Sequence, residues 1–143
     1  MSVCTFFGHR DCPSTVKPKL RKVLSDLIEN QSVNMFYVGN NGAFDRMVRS
    51  CLRELEQQYP EINYAVVLEH MPKKRDEFDT ADYTDTMLPE GIEKVHPHFA
   101  IAWRNKWMLR NADYVIAYVT HSRGGAAQYT EMAERQGKKV IKL

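Results

Sequence analysis

The chain has 143 residues, 43% of them hydrophobic and 27% charged, with a formal net charge of +2, the makeup of a globular protein able to bury a proper core. So small a basic excess does not support a nucleic-acid partner, which ordinarily meets a concentrated positive face, and no apolar run approaches the roughly 20 residues of a membrane span. Three cysteines, Cys4, Cys12 and Cys51, form no C-x-x-C pair, and an odd number argues against a disulfide framework. With no cationic leader ahead of the first strand pattern, the expected location is the cytoplasm.

Residues Val3 to Phe7 read as a first strand, broken by the polar, glycine- and proline-containing loop Gly8-His9-Arg10-Asp11-Cys12-Pro13. From Ser14 the apolar residues Val16, Leu20, Val23, Leu24, Leu27 and Ile28 recur at helical spacing, with Ser14 or Thr15 placed to cap and Pro18 tolerable in the first turn. Met35 to Val38 is a second strand, ended by Gly39-Asn40-Asn41-Gly42. After it Phe44, Met47, Val48, Cys51, Leu52 and Leu55 mark an amphipathic helix that stops near Tyr59-Pro60. Ile62 to Leu68 is a third strand, and the alternation of strand and helix predicts a parallel sheet with right-handed crossovers.

The stretch from Glu69 to about His98 is charged, carries Pro72, Pro89 and Pro97, and has no sustained period. A connection this long is a lid, a binding loop or a spacer, and Thr86-Met87-Leu88 fits a short extra strand within it. A helix follows from about Phe99 to Arg110. Tyr114 to Val119 is an apolar run of β-branched and aromatic residues, as expected of a central strand buried on both faces. The polar turn Thr120-His121-Ser122-Arg123 and the small residues Gly124, Gly125, Ala126 and Ala127 then open a helix running through Ala133, and Lys139 to Leu143 is a last strand. The class is α/β, in one domain over residues 1–143, with five principal strands and no internal repeat or linker.

In an open parallel sheet, ligands bind beyond the carboxyl ends of the strands, where neighbouring crossovers leave for opposite faces. Three loops gather at that edge: Gly8-His9-Arg10, Gly39-Asn40-Asn41-Gly42, and Ser122-Arg123-Gly124-Gly125 with Ala126 behind it. Each glycine pair alone reads equally as a tight turn. Together, with Arg10 and Arg123 for phosphate, backbone N–H groups at a helix start, and Asn and Asp side chains for hydroxyls, they describe a pocket for a phosphorylated, sugar-bearing ligand. The spacing matches neither a G-x-G-x-x-G fingerprint nor a Walker loop. Asp45, in the first turn of the second helix, either favours that helix's N-terminal dipole or accepts from ribose hydroxyls.

Arg104 and Glu131 read from position alone as helical surface. His96-Pro97-His98 lacks a recurrent ligand spacing, so neither metal nor cofactor is expected. Lys17, Lys19, Arg21 and Lys22 form the solvated face of the first helix, and Cys12 has no base partner that would make it a nucleophile.

These residues resemble the SLOG superfamily of Rossmann-like nucleotide-binding proteins, which includes the lysine decarboxylase-like LOG enzymes and the DprA proteins. Arg104-Asn105-Lys106-Trp107-Met108 is similar to the LOG pattern R-K-x-x-M at Arg104 and Met108, and the segment Arg123 to Glu131 is similar to P-G-G-x-G-T-x-x-E at Gly124, Gly125 and Glu131. Gly42-Ala43-Phe44-Asp45 matches a G-x-x-D turn found in several SLOG branches, and FFGHRDCP with VGNNGAFD looks like the small stand-alone bacterial and phage members. The resemblance covers nearly the whole chain. It implies a three-layer Rossmann-like open sheet of about five mainly parallel strands with helices on both faces, a nucleotide-like ligand and a homodimer, with Trp103 or Trp107 at the interface.

By the same resemblance Arg104 and Glu131 are the catalytic pair of an N-glycosidase acting on nucleoside monophosphates, with nucleoside deoxyribosyl transfer as a variant. Arg123 stands in place of the LOG proline, Ala127 of the third glycine and Gln128 of the threonine, all in the turn that meets the 5′-phosphate. The reading is therefore a sensor or sequestering domain for a nucleotide-derived ligand, with hydrolysis as the alternative. Single-stranded DNA binding by analogy with DprA is weaker, since the sequence shows no basic groove with interleaved aromatics.

Overall fold

The computed structural model of the protein describes residues 2–71 and 84–143; residues 72–83 of the long connection, Pro72 among them, lie outside the described residues. Strand β1 (Ser2–Gly8) leads through a 3-10 turn (Ser14–Val16) into α1 (Lys17–Asn30), and β2 (Val33–Val38) into α2 (Gly42–Gln58). Then come β3 (Asn63–Val67), the two-residue β4 (Thr86–Met87), α3 (Ala100–Arg110), β5 (Tyr114–Tyr118), α4 (Gly125–Arg135) and β6 (Lys139–Lys142). The strands pair in the order β4-β3-β2-β1-β5-β6, every ladder parallel. Thr86–Met87 thus joins the five principal strands as a sixth, at the edge.

The two-residue period of the strands sorts the core into two layers. Cys4 and Phe6 of β1, Phe36 and Val38 of β2, Val66 of β3 and Ile116 of β5 pack with Leu20, Leu24 and Leu27 of α1 and Phe44, Val48 and Leu52 of α2. Their neighbours in the chain, Phe7, Tyr37, Val67 and Val115, point the other way and pack with Met108 and Leu109 of α3 and Tyr129 and Ala133 of α4. This alternation puts helices on both faces of the sheet, in a Rossmann-like three-layer arrangement. Burial of each large side chain contributes roughly 1.5–3 kcal/mol.

Neither Ser14 nor Thr15 caps α1. Both fall in the 3-10 turn, the N-cap position is Val16, and no side chain caps it. Pro18 in the first turn removes one of the N–H groups that a cap would otherwise satisfy.

Two close approaches bring the loops at the carboxyl edge together. A Cβ on Gly8 would lie 2.2 Å from Phe44 Cδ2, and that ring stacks on Tyr118 with centroids 6.2 Å apart, tying the ends of β1 and β5 to the first turn of α2. Gly42 has φ +92°, and a Cβ there would lie 2.7 Å from Arg10 Cα; the Ala43 N–H donates to Arg10 O at 2.8 Å. Glycine is required at both places, at Gly8 by space and at Gly42 by backbone conformation as well.

Candidate functional site

Strand β1 pairs with β2 on one side and β5 on the other, and the helices reached from β1 and β5 lie on opposite faces. The crevice at their carboxyl ends is the switch point of the sheet. It opens into a cavity of about 930 Å3, the size of a small-molecule site.

One wall is cationic and lined by backbone. Helix α4 starts at Gly124, which has φ 89° and ψ 177°, a combination that essentially only glycine adopts. No side chain caps this start, so its first N–H groups are presented by Gly125 and Ala126, both on the cavity wall with Arg10 and Arg123. The rings of His9 and His121 stack across the gap between the β1 and β5 loops.

The facing wall holds a buried charge cluster. Arg104 of α3 is 2% exposed because it lies on the inward part of that helix with Ala100, Met108 and Leu109. Its Nη1 donates to Asn40 Oδ1 at 2.7 Å, to Glu69 Oε2 at 3.1 Å and to Val67 O at 3.3 Å, and its Nε donates to Asn105 Oδ1 at 3.1 Å. The arginine therefore gathers the ends of β2 and β3. Asp45 stands beside it, accepting the Asn41 N–H on Oδ2 at 2.9 Å. Gly39 makes room for this: a Cβ there would lie 2.9 Å from Asp45 Oδ2 and 3.3 Å from Arg104 Cζ.

Burial pushes the Asp45 carboxyl up to about 6, against the pull of the Asn41 N–H and Arg104, with Glu69 adding to the rise. Burial likewise draws the Arg104 guanidinium below its ordinary value, opposed by Glu69 and Asp45, but an arginine remains a cation in this setting. Tyr129 of α4 closes the cavity between the walls, stacked on Phe7 with centroids 5.4 Å apart, and burial raises its hydroxyl.

Of the residues expected from the sequence, Gly8, His9, Arg10, Asn41, Asp45, Arg104, Arg123, Gly124, Gly125 and Ala126 line this cavity. Gly39, Asn40 and Gly42 stand just behind it as supports of Arg104, Asp45 and Arg10, and Ser122 is an exposed turn residue. Glu131 is not on the cavity wall. It sits on the outer face of α4 and pairs with Arg135 one turn on, so the surface reading from position holds for Glu131 and fails for Arg104.

The structure adds Glu69, His121, His98 and Tyr129 to the site. Glu69 was legible by the edge rule itself, as a carboxylate at the end of β3. Trp107, expected at an interface, packs edge-on against Tyr37 at 5.0 Å. Among the described residues no three His, Cys, Asp or Glu side chains gather as a metal-binding group, and no helix is long and apolar enough to cross a membrane.

No family model matches the chain. It is 32% identical to the neutral endopeptidase of Lactobacillus helveticus over a stretch that covers 57% of this chain and 15% of that protein. The chain thus spans a small part of the length of this curated relative.

Proposed function

We propose that the protein binds a nucleotide or nucleotide-derived ligand in the switch-point cavity and acts as a cytoplasmic sensor or sequestering domain. One observation carries this reading. The cavity sets a cationic, glycine-backed helix start opposite a buried cluster of carboxylates, amides and guanidinium, so that one ligand meets an anion site at one end and acceptors for hydroxyls at the other. Arg10, Arg123, Gly124 and Gly125 take the phosphoryl group; Asp45 and Asn41 take the sugar, with Asp45 positioned by Arg104. The strand order and the glycine turns also support membership of the SLOG superfamily.

The test is a thermal-shift and calorimetric panel of nucleoside monophosphates, diphosphates and ribose 5-phosphate. A ligand present at a hundred times its Kd stabilises the fold by about 2.7 kcal/mol, so a saturable rise in Tm is the expected result. Absence of any shift at millimolar concentration across the panel contradicts the reading.

A second reading, cleavage of the N-glycosidic bond, is favoured by Asp45, a cavity carboxyl with a value of about 6, suited to proton transfer near neutral pH. Glu131, which the resemblance puts in that role, faces away. Release of free base from the panel, lost in Asp45→Asn and kept in Glu131→Gln, supports this second reading. The match to neutral endopeptidase supports no peptidase reading, because it spans 15% of that protein and the chain carries no H-E-x-x-H zinc motif.

A further inference from the structure

His9 leaves the end of β1 and His121 the end of β5, and their imidazole rings stack with centroids 3.9 Å apart and planes 10° from parallel. Each ring has a nitrogen occupied by a backbone donor. The Thr120 N–H donates to His9 Nε2 at 2.9 Å, and the Arg123 N–H donates to His121 Nδ1 at 3.3 Å. A ring nitrogen that accepts an N–H carries no proton. Both rings are therefore neutral in this arrangement, His9 with its proton on Nδ1 and His121 on Nε2. Two backbone donors at the anion end are held by imidazoles.

Protonating either ring does two things at once. It adds a positive charge to the cavity wall, and it releases the backbone N–H that the ring was accepting. Charging both rings of a stack this close is unfavourable, so the pair takes one proton. His121 is the more exposed ring and makes the longer of the two bonds. Burial and the neighbouring His121 hold the His9 imidazole below the ordinary histidine range.

We propose that the stacked pair is a proton-linked phosphoryl subsite: an entering phosphoryl dianion is bound together with one proton on His121, and the Arg123 N–H, released from Nδ1, turns to a phosphoryl oxygen. This rests on the nucleotide reading for its ligand and adds the charge state in which that ligand is held. The charged and titratable groups around the pair are Arg10 and Asp11 beyond β1, Asp45 on α2, Glu69 beyond β3, His98 in the turn before α3, Arg104 on α3, Arg123 before α4 and Tyr129 on α4, with Tyr118 of β5 edge-on to His9 at 6.1 Å. In the empty cavity three guanidinium groups face three carboxylates, those of Asp11, Asp45 and Glu69, which leaves no net negative charge to hold a cationic ring. An entering dianion supplies that charge.

The experiment follows the imidazole carbon-bound protons of His9 and His121 by two-dimensional NMR from pH 5.5 to 8.5. It is run in chloride, in inorganic phosphate and with each of AMP, GMP, CMP and UMP, at equal ionic strength, while backbone amides of the cavity report binding. The expected result is a rise of about one unit in the His121 midpoint with phosphate or a nucleotide, with His9 changing less. In His121→Asn, where Oδ1 takes the place of Nδ1 as acceptor for the Arg123 N–H but cannot be protonated, nucleotide affinity should fall with rising pH about tenfold less than in the wild type between pH 6 and 8; the ligand's own ionisation is common to both proteins. Cavity amides that respond while the His121 midpoint stays fixed overturn the proton-linked subsite and leave the nucleotide reading standing. No response of cavity amides to phosphate or any of the four nucleotides, at any pH, overturns both.

Discussion

Two of the protein's arginine–carboxylate pairs, Arg104–Glu69 and Arg135–Glu131, look alike on paper and stand on opposite sides of one helix layer. In Arg104–Glu69 the side chains are 2% and 11% exposed; in Arg135–Glu131 they are 74% and 63% exposed. The exposed pair, one turn apart on α4, exchanges water contacts for each other and gains a few tenths of a kcal/mol. The buried pair has given up most of its water and depends on Asn40, Asn105 and the Val67 carbonyl to complete its bonding. The difference teaches that burial, and not pairing, singles out the candidate: of the two, Arg104–Glu69 is the desolvated charge cluster beside the cavity.

The strongest test of that contrast is Arg104→Met. It fills much of the volume but takes the arginine away from Glu69 and Asp45, leaving Glu69 with only the exposed His70 at 3.4 Å and Asp45 with the Asn41 N–H. Removing one member of such a cluster costs about 3–5 kcal/mol, measurable as a fall in the urea midpoint at unchanged m-value. Adding Glu69→Gln to Arg104→Met should recover part of the loss, because an amide needs no counter-charge. If Arg104→Met alone costs less than about 1 kcal/mol, the range of an exposed pair, the comparison collapses.

Asp45→Asn sharpens it through pH. The folded-state value of about 6 lies above the ordinary 3.8, so the folded protein holds this proton more tightly than the unfolded chain. The stability this contributes is fully present below about pH 3.8 and is lost as pH rises through about 6. At pH 8 the ionised carboxylate costs the wild-type fold about 3 kcal/mol. Asparagine keeps an oxygen for the Asn41 N–H and cannot ionise, so Asp45→Asn should be more stable than wild type by about 1–3 kcal/mol at pH 8, with the gain shrinking towards pH 4. Its affinity for nucleotides should fall at least about tenfold, the usual exchange of function for stability at a strained site. A variant less stable than wild type at pH 8 would mean that attraction to Arg104 outweighs desolvation.

The sheet was legible because β1 and β5 are largely apolar runs with both faces buried, and because the turns beyond β1 and β2 carry glycines whose purpose is steric, as at Gly8 and Gly42. The cavity was legible for the same reason: loops after strands of a parallel sheet converge by topology. Glu69 was passed over because it begins the long charged stretch, where composition hides a strand-end residue. His98 was passed over because its neighbours read as a polar loop, and only the packing of α3 brings it to the cavity. For Asp45 the sequence left two roles open, helix dipole or ribose contact; the structure shows it accepting the N–H of Asn41 at the start of α2 and lining the cavity.

Glu131 shows where a motif read along a line loses to a helix read around its axis. Turning about 100° per residue, Tyr129, Thr130 and Ala133 form the buried face of α4, and Glu131 lies away from it, although it falls in register with the glutamate of the LOG pattern. Glu131→Gln therefore breaks only the exposed pair with Arg135. It should change unfolding free energy by less than about 0.5 kcal/mol and leave nucleotide affinity within twofold of wild type by calorimetry, roughly the scatter of a neutral surface change. A loss of binding or of base release in this variant would show that α4 turns about its axis when the cavity fills, bringing its outer face inward, and the exposed pair would then be the gate of the site and the buried pair its scaffold.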